Sequence, residues 1–361
     1  MSFGARALIR LGALKHNFDI IRAATPGAKI MAVIKANAYG HGMVAVAKNL
    51  PDVDAFAVAR VPEAIRLRYA GVDNRIVLLA GALNADELRD VIRYDFETVV
   101  HCPEQIALLE NVRHGNVCVW LKFDTGMNRL GFAPESASAI IERVGALPSV
   151  GEVRLMTHLS SADEQAGETT KQQLSRFLSL LENFDGPVSI ANTPGALGWP
   201  DLIRPDRENW IRPGIALFGI SPFADRSASA LGLKPVMQFE ARLIAVKPLA
   251  KGASVGYKGN YTADADTLLG IVSAGYGDGY TRHFKSGTPV LLNGRRVPVI
   301  GNVSMDMVAV DLGPDASDEV GDIATLWGDG LPVEEVAPWA GAIPYELVCG
   351  VMNREKSDFT T

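Results

Sequence analysis

KIMAVIK, residues 29–35, is an apolar run of strand length that ends on a lysine, and a small glycine-punctuated loop, ANAYGHG (36–42), follows it. Strands buried on both faces of a parallel sheet read as short continuous apolar runs, without alternation. Seven more runs follow: AFAVA (55–59), RIVLLA (75–80), ETVV (97–100), VCVWLKF (117–123), EVRLMTH (152–158), PVSIAN (187–192) and WIRPGIALFG (210–219). Helical stretches separate most of them: VPEAIRLRYAG with a closing Gly71, ADELRDVIRYD, CPEQIALLENVRHG, ESASAIIERVGALP and ETTKQQLSRFLSLLENF. Strand–helix alternation predicts parallel strands joined by right-handed crossovers. Eight such units predict a closed, TIM-like (β/α)8 barrel of the α/β class in preference to an open doubly wound sheet.

After about residue 230 the texture changes. PVMQFEARLIAVKPLA, DTLLGIVSAGY, TPVLLNGRRVPVIG, SMDMVAVDLG and DIATLWG are strand-like and are parted by Gly, Pro and Asp turns. A second, mostly β C-terminal domain is expected. The partition is then 1–229 for the barrel and 230–361 for the β domain, with the boundary inside the polar stretch FADRSASALGLKP (223–235).

The totals narrow the class. A chain of 361 residues is longer than one small core absorbs, which suits two domains. Apolar residues make up 48% and charged residues 21%, ordinary globular values that exclude disordered and fibrous classes. A net charge of −6 argues against a nucleic-acid or anionic-membrane partner, which would want a clustered basic excess. The three cysteines, Cys102, Cys118 and Cys349, form no C-x-x-C pair, a pattern suited to a reducing compartment. MSFGARALIRLGALKHN has no apolar signal core, and no apolar run approaches the ~18 residues of a membrane span. A cytoplasmic protein is expected. The histidines are scattered with no H-E-x-x-H, so no metal site is expected.

In such barrels the active site lies where strands end. The first strand delivers Lys35. The fifth delivers Lys122 and then FDTGMNRLGF with Arg129, and the sixth delivers His158. The seventh delivers Asn192 and Thr193, and the eighth carries Arg212, Gly214 and Ile215. Lysine is costly to bury charged. At a strand end it either snorkels to solvent or serves chemistry such as a Schiff base. The loop after Lys35 lets backbone N–H groups and the Tyr39 hydroxyl approach a phosphate.

AVIKANAYGHG resembles the cofactor-lysine signature of the alanine racemase family. The likeness runs through nearly the whole chain. ALIRLGALKHNFDIIR, KFDTGMNRLGF, RLMTHLSSAD, IRPGIALFGI, VGYKGNYTA, AGYGDGY, GNVSMDMVAVD and IPYELVC follow in the family's order. The resemblance implies pyridoxal 5'-phosphate held by Lys35 as a Schiff base and the interconversion of L- and D-alanine. Lys35 serves one face of the α-carbon and Tyr257 the other, because racemisation removes a proton from one face and returns one to the opposite face. A tyrosine of ordinary pKa, about 10, is a poor base, and His158 and Arg212 are the family-like neighbours to lower it. Arg212 matches the residue at the pyridine nitrogen, where a permanent cation leaves the ring unprotonated and disfavours transamination. Its structural alternative is a pair with Glu208.

Arg129 matches the residue for the substrate carboxylate. Lys122 matches a lysine that many relatives carbamylate, its alternative being an ordinary pair with Asp124. Met305, Asp306 and Tyr276 match the substrate entrance, partly supplied by the partner subunit, so a homodimer with shared active sites is expected. Tyr39, Thr193, Gly214, Ile215 and Tyr345 match the phosphate cradle, with Asn192 and His158 beside the cofactor. The family continues after this tyrosine into an R-V-P run, whereas GVMNREKSDFTT keeps Arg354 and loses the V-P.

Other readings stay open. A broader or serine-preferring racemase differs only in a small channel around Tyr257 and Tyr276, and a methylene changes binding by only ~1–3 kcal/mol. Related decarboxylases carry glutamate at the position of Arg212, and related dehydratases need a metal. A non-catalytic cofactor-binding protein would lack the second domain. AGYGDGY lacks the βαβ context of a dinucleotide loop. Whether D-alanine is made for cell-wall peptide or degraded is not written in the chain.

Overall fold

A computed structural model describes residues 4–165, 167–204, 206–351 and 358–360. Arg354 and the end of the altered R-V-P segment lie outside them.

All eight expected barrel strands form, at Lys29–Val33, Ala55–Val58, Arg75–Leu78, Glu97–Val100, Val117–Lys122, Val150–Met156, Val188–Ser189 and Trp210–Ile211. Each pairs in parallel with its neighbour, and the last pairs with the first through Lys29–Trp210 and Ile30–Ile211. Parallel bridges Val188–Asn209 and Asn192–Arg212 join the seventh strand to the eighth and close the ring. The seventh and eighth strands are shorter than the sequence suggests. Pro194 lies just beyond one, in a helix at Thr193–Gly198, and Pro213 ends the other. Pro has no N–H for a ladder. The chain after Pro213 becomes a 3-10 turn, Ile215–Phe218.

The intervening helices follow the apolar periodicity. Ala85–Arg93 opens on Asn84, whose side chain accepts from Glu87 N at 2.9 Å, and Asp86 and Glu87 occupy its positive first turn. Such a cap stabilises by about 1 kcal/mol. Gly71, just after Val61–Tyr69, has φ +79°, the left-handed stop that glycine permits.

At the opposite mouth of the barrel, Arg154 is buried 5.2 Å from the rings of both Trp120 and Trp210. Glu97 accepts from Trp120 Nε1 at 2.7 Å and pairs with Arg75. That end is filled, so the chemistry has the strand C-termini to itself.

The second domain is a closed antiparallel sheet. Thr267–Val272, Val308–Gly313, Arg295–Ile300, Pro289–Leu292 and Ile323–Trp327 follow one another, and the long strand Met237–Leu249 pairs with both ends of the series. A register shift between Leu243 and Ala245 marks where the long strand changes partner. The sequence reading grouped residues 6–10 with the barrel. Here Arg6–Arg10 pairs antiparallel with Met237–Glu240 at the start of the long strand, and in parallel with Asp358–Thr360. Its burial alternates, as a strand with one wet face requires. Arg6–Arg10 and Asp358–Thr360 thus both belong to the β sheet.

Candidate active site

Lys35 follows the first barrel strand directly, but the loop after it does not open an ordinary helix. Ala36, Asn37, Ala38 and Tyr39 have φ of 52°, 53°, 55° and 52°, a left-handed turn of four non-glycine residues. Each such residue costs roughly 1–2 kcal/mol, so neighbours must hold the turn. Asn37 Oδ1 accepts from Met43 N at 3.1 Å, and His41 Nδ1 donates to Tyr39 O at 2.8 Å. Glu63 Oε1 accepts from Ala36 N at 2.8 Å. A Cβ on Gly40 would meet the Val348 carbonyl oxygen at 2.2 Å, so only glycine lets the turn pack against helix Pro344–Gly350.

Five cationic or basic groups gather at the rim: Lys35, Lys122, Arg129, His158 and Arg212. Burial and Arg129 lower the pKa of Lys35, against Glu63 and the Cys349 thiol, which raise it. Burial, Arg212 and Arg129 push Lys122 down to about 8. Lys122 forms no ion pair among the described residues. Asp124, its suggested partner, is instead turned to its own loop, where Oδ1 accepts from Gly126 N and Asn128 N and Oδ2 from Arg129 N. That clamp fixes the segment bearing Arg129.

Arg212 is fully buried, which lowers it to about 10. Its Nη2 donates to Thr157 O at 2.6 Å and Ile190 O at 3.3 Å, and its Nη1 donates to Ser189 Oγ at 2.5 Å. Nη2 also lies 3.3 Å from His158 Nδ1. The alternative pair with Glu208 is excluded, because Glu208 accepts from Lys29 Nζ and Trp210 Nε1, both at 2.7 Å. Burial and the surrounding cations hold His158 well below its usual pKa, so it is neutral.

Beside this cluster lies a cradle. Gly214 N donates to Thr193 Oγ1 at 2.9 Å, and a Cβ on Gly214 would lie 2.5 Å from the Tyr39 hydroxyl. The ring of Tyr39 is 5.1 Å from Phe218 and 6.0 Å from Tyr345. Burial raises both phenols, Tyr345 to about 12, so each keeps its proton. Neither hydroxyl has a hydrogen-bond partner among the described residues. Two phenol donors, the Thr193 hydroxyl and the Gly214–Ile215 backbone beside a cationic rim form a donor set suited to a phosphate. Asn192 accepts from Gly195 N and donates to Leu159 O, both at 3.1 Å.

Tyr257, Tyr276 and Met305 sit together on the β domain. Asn302 Nδ2 donates to Tyr257 O at 3.0 Å, Tyr276 N to Ser304 O at 3.0 Å and Gly277 N to Met305 O at 2.9 Å. Tyr257 is 66% exposed and Met305 50%, and Asp306 is exposed beside them. No hydrogen bond joins Tyr257 to Lys35, His158 or Arg212 within one chain. The neighbours expected to activate Tyr257 therefore do not reach it there.

Sequence reasoning passed over Glu63, Thr157 and Ser189, took Asp124 only as the alternative pair for Lys122, and took Cys349 only as one of three thiols. Of these, only Glu63 left a signal, as an acid three residues into a helix that follows a strand.

The description "Alanine racemase, N-terminal domain" matches residues 9–222, and "Alanine racemase, C-terminal domain" matches residues 236–358. The solved structure of the biosynthetic alanine racemase from Pseudomonas aeruginosa superposes with a TM-score of 0.95 at 40% identity, covering 100% of both chains. That from Acinetobacter baumannii gives 0.91 at 34% identity, covering 99% of this chain and 100% of the other. Agreement through both domains makes this protein an enzyme, an amino-acid racemase. The alanine racemase of Vibrio atlanticus is 47% identical over 98% of this chain and 99% of its own, and that of Photobacterium profundum 48% identical over 97% and 98%. The chain belongs to the alanine racemase family.

Proposed function

We propose that this enzyme binds pyridoxal 5'-phosphate through Lys35 and interconverts L- and D-alanine with two bases, Lys35 and Tyr257. One observation carries the reading: an amine with lowered pKa stands on a strained turn between a cationic rim and a cradle of protonated hydroxyls. The donor set fits the cofactor. Tyr39, Thr193, Gly214, Ile215 and Tyr345 would hold its phosphate, with Asn192 and His158 beside it. Arg212 would face the ring nitrogen, and Lys35 Nζ would hold the cofactor covalently. When bound, the cofactor supplies the electron sink that makes the α-proton of alanine acidic.

The remaining work belongs to the chain's own residues. Arg129 binds the substrate carboxylate and fixes which bond faces the base. Lys35 Nζ takes or returns a proton on one face of the α-carbon, and the Tyr257 hydroxyl does so on the other. Lys122, part-deprotonated near neutrality, is able to take up carbon dioxide as a carbamate and orient Arg129. Tyr257 is exposed in one chain, so it completes the site of a second copy, with Met305, Asp306 and Tyr276 forming the substrate entrance of a homodimer. No helix among the described residues is long and apolar enough to cross a membrane.

Initial rates with L- and D-alanine and with L- and D-serine test the reading, together with the visible spectrum before and after borohydride. The expected result is equal and opposite conversion of the two alanine enantiomers, far faster than serine. The visible band should be lost on reduction, with the label fixed on Lys35. Label on another lysine, or no interconversion, would sink it.

A further inference from the structure

One carboxylate reaches from a neighbouring helix into the strained turn that carries Lys35. Glu63 Oε2 accepts from Ala59 N at 2.8 Å and from Arg60 N at 3.1 Å, closing the start of helix Val61–Tyr69. Any glutamate at the third helical position is able to do that. The other oxygen does something a cap does not require. Oε1 leaves the helix and takes the amide of Ala36, the residue immediately after Lys35, at 2.8 Å.

That amide opens a left-handed turn running through Ala36, Asn37, Ala38 and Tyr39. Three backbone N–H groups, one from the lysine turn and two from the end of the second barrel strand, thus share a single carboxylate. We propose that Glu63 is a positioning residue for Lys35: its carboxylate ties the peptide after Lys35 to the second barrel strand and sets the direction of the amine. This rests on the reading of Lys35 as the residue that holds the cofactor and moves the proton.

The groups that face Lys35 are Arg129, Lys122 and His158 from the other barrel strands, Cys349 from helix Pro344–Gly350, and Glu63. Among these Glu63 is the carboxylate, and its charge favours the protonated amine. Glutamine in its place keeps the shape but not the function. Its carbonyl accepts on one side, while its amide hydrogens face backbone N–H groups on the other. One side of the clamp must open, and the negative charge is gone in either orientation.

The test uses full-length holoenzyme carrying Glu63→Gln, Glu63→Ala or Lys35→Ala. Glu63→Gln is expected to retain the visible cofactor band. Its kcat for alanine should fall about tenfold or more, since misplacing a reacting group is that costly. KM should move by less than about threefold, because Arg129 and the cradle are untouched. The acid limb of its kcat–pH profile should move to lower pH, which loss of a cap alone would not cause. Amide exchange in the peptide spanning 35–40 should quicken, a readout independent of turnover. Glu63→Ala should show the same shifts with a lower Tm.

If Glu63→Gln keeps kcat, pH limb and exchange unchanged beside an inactive Lys35→Ala, Glu63 is only a helix cap. The proposal is then overturned while Lys35 keeps its role. An active Lys35→Ala enzyme removes the reading beneath the proposal, and the proposal with it.

Discussion

Arg212 Nη2 lies 3.3 Å from Nδ1 of His158, and no carboxylate pairs with the guanidinium among the described residues. A buried cation is tolerated here because Thr157 O, Ile190 O and Ser189 Oγ accept its other protons. The contact also fixes the imidazole. A second cation beside Arg212 is disfavoured, so His158 accepts at Nδ1 and keeps its proton on Nε2. The arginine and the neutral histidine act as one unit.

Exchanging that cation for an acid reverses the electrostatics. Arg212→Glu should lower racemisation by about 100-fold or more, as loss of a preorganised charge does. It should also raise the pyruvate formed per racemisation, because an acid protonates the ring nitrogen and strengthens the electron sink. Arg212→Lys keeps the charge without the fork and should lose rate with no gain in pyruvate. Coupled assay of pyruvate against D-alanine formation decides. An unchanged ratio in Arg212→Glu would remove the argument for arginine.

Lys122 has a pKa near 8 and forms no ion pair among the described residues, the conditions for capturing carbon dioxide. A carbamate would exchange a buried cation for an anion beside Arg129. Enzyme equilibrated with 13C-bicarbonate should show a carbamate carbon signal that Lys122→Ala lacks. Lys122→Ala should raise KM for alanine more than it lowers kcat, since the loss acts through carboxylate binding. A silent 13C spectrum in active enzyme would leave Lys122 as an ordinary buried lysine.

The fold was legible because buried parallel strands announce themselves as runs such as RIVLLA and ETVV, and each became a barrel strand. What the runs could not show was partnership at the chain ends. ALIRL reads as a strand, but only tertiary pairing sends it to the β sheet. In the site, Lys35, Lys122, Arg129, His158 and Arg212 do converge, because each ends or follows a strand of one ring. The roles of Asp124, Ser189 and Thr157 were invisible for the opposite reason. Thr157 acts through its carbonyl, Asp124 on backbone N–H groups and Ser189 through a hydroxyl that meets Arg212 only in the fold, and none of these has a residue signature. The left-handed turn at 36–39 was hidden too, since Ala-Asn-Ala-Tyr does not favour it locally and the groups that brace it from outside, Glu63 at Ala36 N and Val348 O against Gly40, meet it only in the fold.

Gly214 faces the Tyr39 hydroxyl so closely that any side chain displaces it. Gly214→Ala should weaken cofactor binding by about 10- to 100-fold, the worth of one hydrogen bond to a charged group. Thr193→Val should weaken it comparably while leaving the barrel folded. Titration of stripped enzyme by the visible band measures both. Wild-type affinity in Gly214→Ala would place the phosphate elsewhere.

His41 is buried, stacked 4.3 Å from Phe218, and burial holds it down to about 4. In the unfolded chain a histidine titrates near 6.5. Between these values the unfolded chain binds a proton that the folded chain does not. Stability present above about pH 6.5 is therefore lost as pH falls towards 4, at up to about 1.4 kcal/mol per pH unit. His158 adds a loss of the same sign. Urea unfolding across this range should show a shallower slope for His41→Asn than for wild type. Equal slopes would mean that His41 is already protonated in the fold.

Two dead variants should make a live enzyme. Lys35→Ala keeps Tyr257, and Tyr257→Phe keeps Lys35. If each site takes its lysine from one chain and its tyrosine from the other, a mixed dimer holds one intact site and one doubly defective site. Random mixing makes half of the dimers mixed, so activity should return to about a quarter of wild type. If both bases came from the same chain, every site in the mixture would lack one of them and nothing would return. The exposure of Tyr257, at 66%, favours the first arrangement, because a base must be screened from water while it works. Mixing has to be verified by mass on differently tagged chains. Absence of recovery in a verified mixed dimer would return Tyr257 to its own chain's site and require the β domain to move against the barrel during turnover.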